Sequence, residues 1–145
     1  MPHFTLQIVP EGPVISLLVG LSAPRIAALR QANLPIPQAV VLRCLLDTGA
    51  SGTCIDAAAI APLGLTPTGT TLISTPSTGG TPHQCLTYDV GMMFVHPGGN
   101  RFFGTVAVVA TDFLTQTIDG LVGRDVLSSC LFVYDGAARI FSIAF

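Results

Sequence analysis

The sequence predicts an all-β domain with a few short helices, and three observations carry that prediction. Short apolar runs recur between clusters of Gly, Pro, Ser and Thr, the pattern of strands joined by close turns. The 145 residues fall within the size of one domain, and no internal repeat, low-complexity tract or long linker divides them. Half the residues are hydrophobic and 10% are charged, against roughly 25% charged in an ordinary soluble domain. A chain of this length buries about 68% of its unfolded surface, enough for a core without disulfide or metal staples. Its apolar surplus points to further buried surface, most simply a subunit interface.

The elements follow in order. Residues 4–9 alternate as Phe-Thr-Leu-Gln-Ile-Val, a half-buried strand, and residues 14–19 follow a Pro-Glu-Gly-Pro turn, so the two are expected to form a hairpin. Ser22 then stands as an N-cap, with Pro24 in the first turn and Leu21 and Ile26 at staple spacing. Residues 23–32 make a short helix with Ile26 and Leu29 inward, stopped by Asn33 and Pro35. Val40–Leu46 is an almost continuously apolar strand. Asp56 caps a second brief helix over residues 57–61, ended by Pro62 and Gly64. Residues 72–74 and 85–95 are the arms of a long hairpin with Thr75, Pro76, Ser77, Thr78, Gly79, Gly80 and Thr81 about its tip. After Pro97-Gly98-Gly99-Asn100 comes a strand over residues 101–110. Leu121-Val122 is a short apolar piece ending at Gly123, and residues 124–130 make a turn or two of helix. Residues 131–134 and 140–145 close the chain as a hairpin about Asp135-Gly136.

Composition excludes several functions. Six arginines and no lysine face seven aspartates and Glu11, a net charge of −2. No basic stripe exists to neutralise phosphates, so nucleic acid is not an expected partner. Trp is absent, which removes the strongest stacking platform. The apolar run Val14–Leu21 is broken by Ser16 and Gly20 and is about half a bilayer span; lacking a basic leader, it is not expected to be a signal peptide. The four cysteines, Cys44, Cys54, Cys85 and Cys130, form no Cys-x-x-Cys pair, which removes zinc-ribbon and thioredoxin readings. Reduced thiols in a cytoplasmic chain are the expectation, with two disulfides open if the protein is secreted. His3, His83 and His96 lie apart with no ligand spacing, so no metal and no cofactor is expected.

The chemistry concentrates at Leu45-Leu46-Asp47-Thr48-Gly49-Ala50-Ser51-Gly52. A carboxylate ends an apolar strand and enters small residues that let a ligand approach the backbone. Burial raises a carboxyl pKa, which suits a group that exchanges protons in mild acid. The competing reading is that Asp47 merely starts an Asx-turn.

Some seventy residues later stands Ile118-Asp119-Gly120-Leu121-Val122-Gly123-Arg124-Asp125. Together with Asp-Thr-Gly-Ala-Ser, the segment ending Leu63-Gly64-Leu65 and the Gly-rich hairpin between, this order resembles the retropepsin-like aspartic proteases over about the last two thirds of the chain. The resemblance implies a closed barrel-like retropepsin fold and a peptidase in which two aspartates activate water. This chain holds one Asp-Thr-Gly; Asp119-Gly120 and Asp135-Gly136 lack the Thr. The resemblance therefore implies a C2 homodimer with Asp47 of each copy at the axis, acting on a peptide or protein substrate.

By the same resemblance, Thr48 bonds across the axis, Gly49 frees a carbonyl for substrate backbone, and Ala50 and Ser51 line the cleft. Residues 75–81 form a flap, and Leu121, Val122, Gly123 and Arg124 support the loop. Many retroviral relatives carry an acidic residue where Ser51 stands, so Arg124 must find another partner: Asp125, Asp56 or backbone. His83 reads as a surface residue, and Cys54 beside the loop could make activity oxidation-sensitive. Residues 22–38 insert a helix and a Pro-rich connection, which brings the chain nearer cellular and bacterial relatives. The apolar ending over residues 140–145 suits an intersubunit strand. A module of the same fold that binds peptides without turnover is the alternative function.

Overall fold

The computed structural model describes residues 1–74, 79–113 and 116–145. Among the described residues ten strands and three α-helices follow in order: β1 (His3–Gln7), β2 (Val14–Leu21), α1 (Ala23–Gln31), β3 (Val40–Leu46), β4 (Cys54–Asp56), α2 (Ala57–Ile60), β5 (Gly69–Ile73), β6 (His83–Phe94), β7 (Arg101–Thr111), β8 (Gly120–Val122), α3 (Arg124–Leu127), β9 (Leu131–Asp135) and β10 (Ile140–Ala144). The expected all-β class with short helices holds. Among the described residues no helix is long and apolar enough to cross a membrane.

Six strands close a barrel in the order β2-β3-β8-β4-β7-β6, sealed by β6 pairing back onto β2. The strand β6 is long enough to serve two neighbours along one edge. Its first half pairs β5, from Ile73 opposite His83 to Gly69 opposite Thr87. Its second half pairs β2, from Leu21 opposite Val90 to Leu18 opposite Met93. The seam is tight at Gly91, where an added Cβ would lie 2.6 Å from the Leu21 carbonyl oxygen, so a residue without a side chain lets the backbones meet. Alternate residues of β2 and β3 point inward, and Val19, Ile55, Val90, Val108 and Val122 are wholly buried.

A second sheet, ordered β1-β10-β9, packs Phe141 and Ile143 into the same core. This arrangement corrects two expectations. Residues 4–9 and 14–19 do not form a hairpin: the turn between them exists, with Val9 bridging Gly12, but β1 joins β10 while β2 joins β3 and β6. Nor is the last strand free for a partner, because β10 lies between β1 and β9 with both edges used. Phe145 instead turns inward against Phe94, ring centres 5.2 Å apart.

The helices form much as their caps suggest. α1 has Ser22 at its N-cap and Pro24 in its first turn, although the serine hydroxyl makes no cap bond. It ends at Asn33 with φ +54, the left-handed conformation asparagine tolerates. At α2 the Asp56 carboxylate accepts the Ala58 N–H at 3.3 Å. Pro62 does not end this helix but sits in a 3-10 turn, Ala61–Leu63, that continues it to Gly64.

Candidate active site

Two adjacent parallel strands set the site. β3 and β8 align Leu46 with Val122, so both chains leave the barrel at the same level. The Asp47 N–H extends the ladder by one rung to the Val122 carbonyl, 2.9 Å. The chain then turns: the Ala50 N–H donates to the Asp47 carbonyl (3.2 Å) and the Gly49 N–H donates to Asp47 Oδ1 (2.8 Å). The Asx-turn is present, and the carboxylate whose oxygen anchors the loop also lines a cleft.

The loop is held from behind by the segment after β8. Arg124 donates through Nη1 to the Thr48 carbonyl at 2.7 Å, and its N–H donates to the Ala50 carbonyl at 3.0 Å. Backbone therefore takes the place of the acidic partner that Ser51 does not supply. Beneath lies a network the sequence did not announce. Thr53, wholly buried, donates its N–H to Asp125 Oδ2 (3.0 Å) and its hydroxyl to Asp125 Oδ1 (2.8 Å). The same hydroxyl accepts the Gly123 N–H at 3.1 Å. Gly123 abuts the loop so closely that a Cβ there would lie 2.5 Å from the Gly52 carbonyl carbon and oxygen. Leu121 and Val122 pair with Leu45 and Leu46, and Gly123 and Arg124 lie against the loop.

Asp47 opens onto a cleft of about 540 Å³. One wall is the loop itself, with Gly49, Ala50, Ser51 and Gly52; the facing wall is Thr71, Leu72, Ile73 and Ser74 from β5 and its end. Cys54, Val109 and Leu121 complete it. Asp47 is the sole charged side chain among the described residues that line this cleft. Thr48, Gly49 and Ser51 are exposed, and neither hydroxyl bonds local backbone among the described residues. Of the expected flap, Gly79 and Gly80 form a turn with φ +61 and +81; Thr75, Pro76, Ser77 and Thr78 lie outside the described residues. His83 is exposed at the start of β6 and does not line this cleft.

All four cysteines are free. Burial pushes the Cys54 thiol up, and the Asp125, Cys85 and Asp47 charges add to it. A thiol held protonated is a weak nucleophile, so the environment opposes the oxidation sensitivity that proximity suggested. Among the described residues no cluster of His, Cys, Asp and Glu is placed to hold a metal ion.

The pattern that defines the aspartyl protease family matches residues 36–126, from the approach to β3 into α3. The fold is similar to the crystal structure of a retropepsin-like aspartic protease from Rickettsia conorii. The TM-score is 0.57 at 15% identity, covering 97% of this chain and 89% of that one. A comparison with curated proteins finds no match.

Proposed function

Because this chain belongs to the aspartyl protease family, we propose that it is an endopeptidase whose active site forms when two copies bring their Asp47 residues together. The observation that carries the reading is the single carboxylate among the described residues that line the cleft, set on a braced loop and facing the β5 wall. Metal-free peptide hydrolysis through water needs two acid–base groups: one takes a proton from water, the other protonates the carbonyl oxygen and later the leaving amine. Two carboxyls about 3 Å apart resist double ionisation and share one proton, which gives both forms at once. Their titration belongs to the pair.

Each residue then has a task. The Gly49 N–H holds Asp47 Oδ1 in place, leaving the other oxygen for water. Exposed Thr48 and Ser51 are available to a partner loop or to substrate. An extended peptide lies along the cleft between the loop and the β5 wall. No cofactor is required. Asp47→Asn keeps the shape and removes the proton exchange, so peptide cleavage is expected to fall by at least about a thousandfold while the circular dichroism spectrum and the sedimentation profile stay unchanged. Undiminished cleavage by that variant refutes the mechanism.

A further inference from the structure

We propose that the cavity at the N-terminal end of α1 is a second ligand site, which binds an apolar dipeptide by its free carboxylate and its free amine. Among the described residues it shares no lining side chain with the Asp47 cleft. The proposal goes beyond the paired-aspartate reading and does not rest on it.

Ser22 stands where a helix cap belongs, yet its hydroxyl is unused. The residue is 7% exposed, and its carbonyl accepts the Ile26 N–H at 3.0 Å. Its side chain makes no cap bond, nor any other among the described residues. No described side-chain nitrogen or oxygen is both sealed from solvent and unpaired. The Ser22 hydroxyl therefore keeps an opening, and the cavity that Ser22 lines provides it. In the first turn of this nine-residue helix the ladder offers the Ala23 and Arg25 N–H groups no acceptor, and Pro24 has no N–H. Arg25 lines the same cavity. A hydroxyl, a helix N-terminus and a guanidinium together suit a carboxylate.

A simple anion is not the best occupant, because Asp89 lines the cavity from β6. With Leu21 opposite Val90, Asp89 takes the next register position, across from Ser22. Neither the Asp89 nor the Arg25 side chain has an ion-pair or hydrogen-bond partner among the described residues. An anion alone meets repulsion from Asp89 and a cation alone from Arg25, whereas a zwitterion answers both. The remaining lining is largely apolar, with buried Leu29 and Leu63 beside Leu65, Pro35 and Pro37. At about 510 Å³ the cavity falls within the roughly 300–1,000 Å³ of small-molecule sites. An apolar dipeptide carries opposite charges at its ends and greasy side chains between them.

The test is isothermal titration calorimetry of Leu-Leu, its N-acetyl form and its C-terminal amide against wild type, Ser22→Ala, Arg25→Gln and Asp89→Asn. Leu-Leu is expected to bind wild type at one site per chain. Blocking either end, or replacing Arg25 or Asp89, is expected to weaken binding at least about tenfold, as loss of a charged hydrogen bond does. The losses are paired: Asp89→Asn leaves affinity for the acetylated peptide unchanged, and Arg25→Gln leaves affinity for the amide unchanged. Ser22→Ala is expected to weaken binding at an unaltered melting temperature, because the hydroxyl caps nothing in the free protein; a merely structural serine would lower the melting temperature and spare binding. Absence of Leu-Leu binding overturns the proposal, as does equal affinity for all three variants, which places the peptide elsewhere. Free leucine binding as tightly as Leu-Leu overturns the dipeptide assignment. Should a variant fail to fold, the blocked peptides on wild type decide alone: undiminished affinity for either one overturns the site.

Discussion

Thr53 carries more of the site's geometry than its place in the sequence suggests. Its three bonds join the end of the Asp47 loop to Asp125 at the start of α3 and to the backbone of Gly123. Thr53→Val keeps the shape but leaves the Gly123 N–H without an acceptor and removes one of the three donors to Asp125, which keeps the Thr53 and Val126 N–H groups. One buried polar group left unpaired, here the Gly123 N–H, costs about 1–3 kcal/mol, so urea denaturation is expected to show a loss of that size, with Thr53→Ser retaining most of the stability. Wild-type stability in Thr53→Val would show the network to be dispensable. At this scale Asp47 was legible because a carboxylate after an apolar strand, followed by Thr-Gly, is a dense local signal. Thr53 and Asp125 were not, because burial of a lone threonine is decided by strands brought together across some seventy residues. Arg124 was legible as a brace, but which oxygen it holds depended on where the Thr48 carbonyl turned.

Among the elements, those governed by local periodicity were read closely and those governed by pairing were not. β3 has the boundaries its apolar run predicts, Val40–Leu46. α1 ends within a residue of expectation, and Asp56 caps α2 as its position implies. The supposed first hairpin failed because a Pro-Gly turn fixes a reversal of direction without deciding whether the flanking strands pair. β4, only three residues long and two past Gly52, escaped notice because its identity as a strand comes from β7 and β8 on either side. β8 matters most for function, since its parallel pairing with β3 sets the height of Asp47, and its exit at Gly123 lets the Gly52 backbone close in. Gly123→Ala places a methyl against fixed backbone, and overpacking of this kind costs about 1–3 kcal/mol or more. The expected result is a lower melting temperature together with a fall in cleavage larger than the loss of folded protein explains. Full activity in a folded Gly123→Ala would show that the loop tolerates displacement.

For the whole molecule, activity that needs two chains must depend on their concentration. Cleavage per chain is expected to fall on dilution along the same curve as the dimer fraction from sedimentation, since association by mass action sets the population of the competent species. Constant activity per chain across a range in which the dimer dissociates would place a complete site within one subunit. The barrel was foreseeable as a class from short runs and turns, whereas the second sheet was not, because it joins the two halves of the chain at their greatest separation. His3 lies opposite Ala144 and Gln7 opposite Ile140. Such non-local pairing is slow to form, and on a ribosome β1 has no mate until the final strands emerge. β1 therefore waits unpaired while every barrel strand is made, and the small sheet closes onto a barrel whose parts are already present.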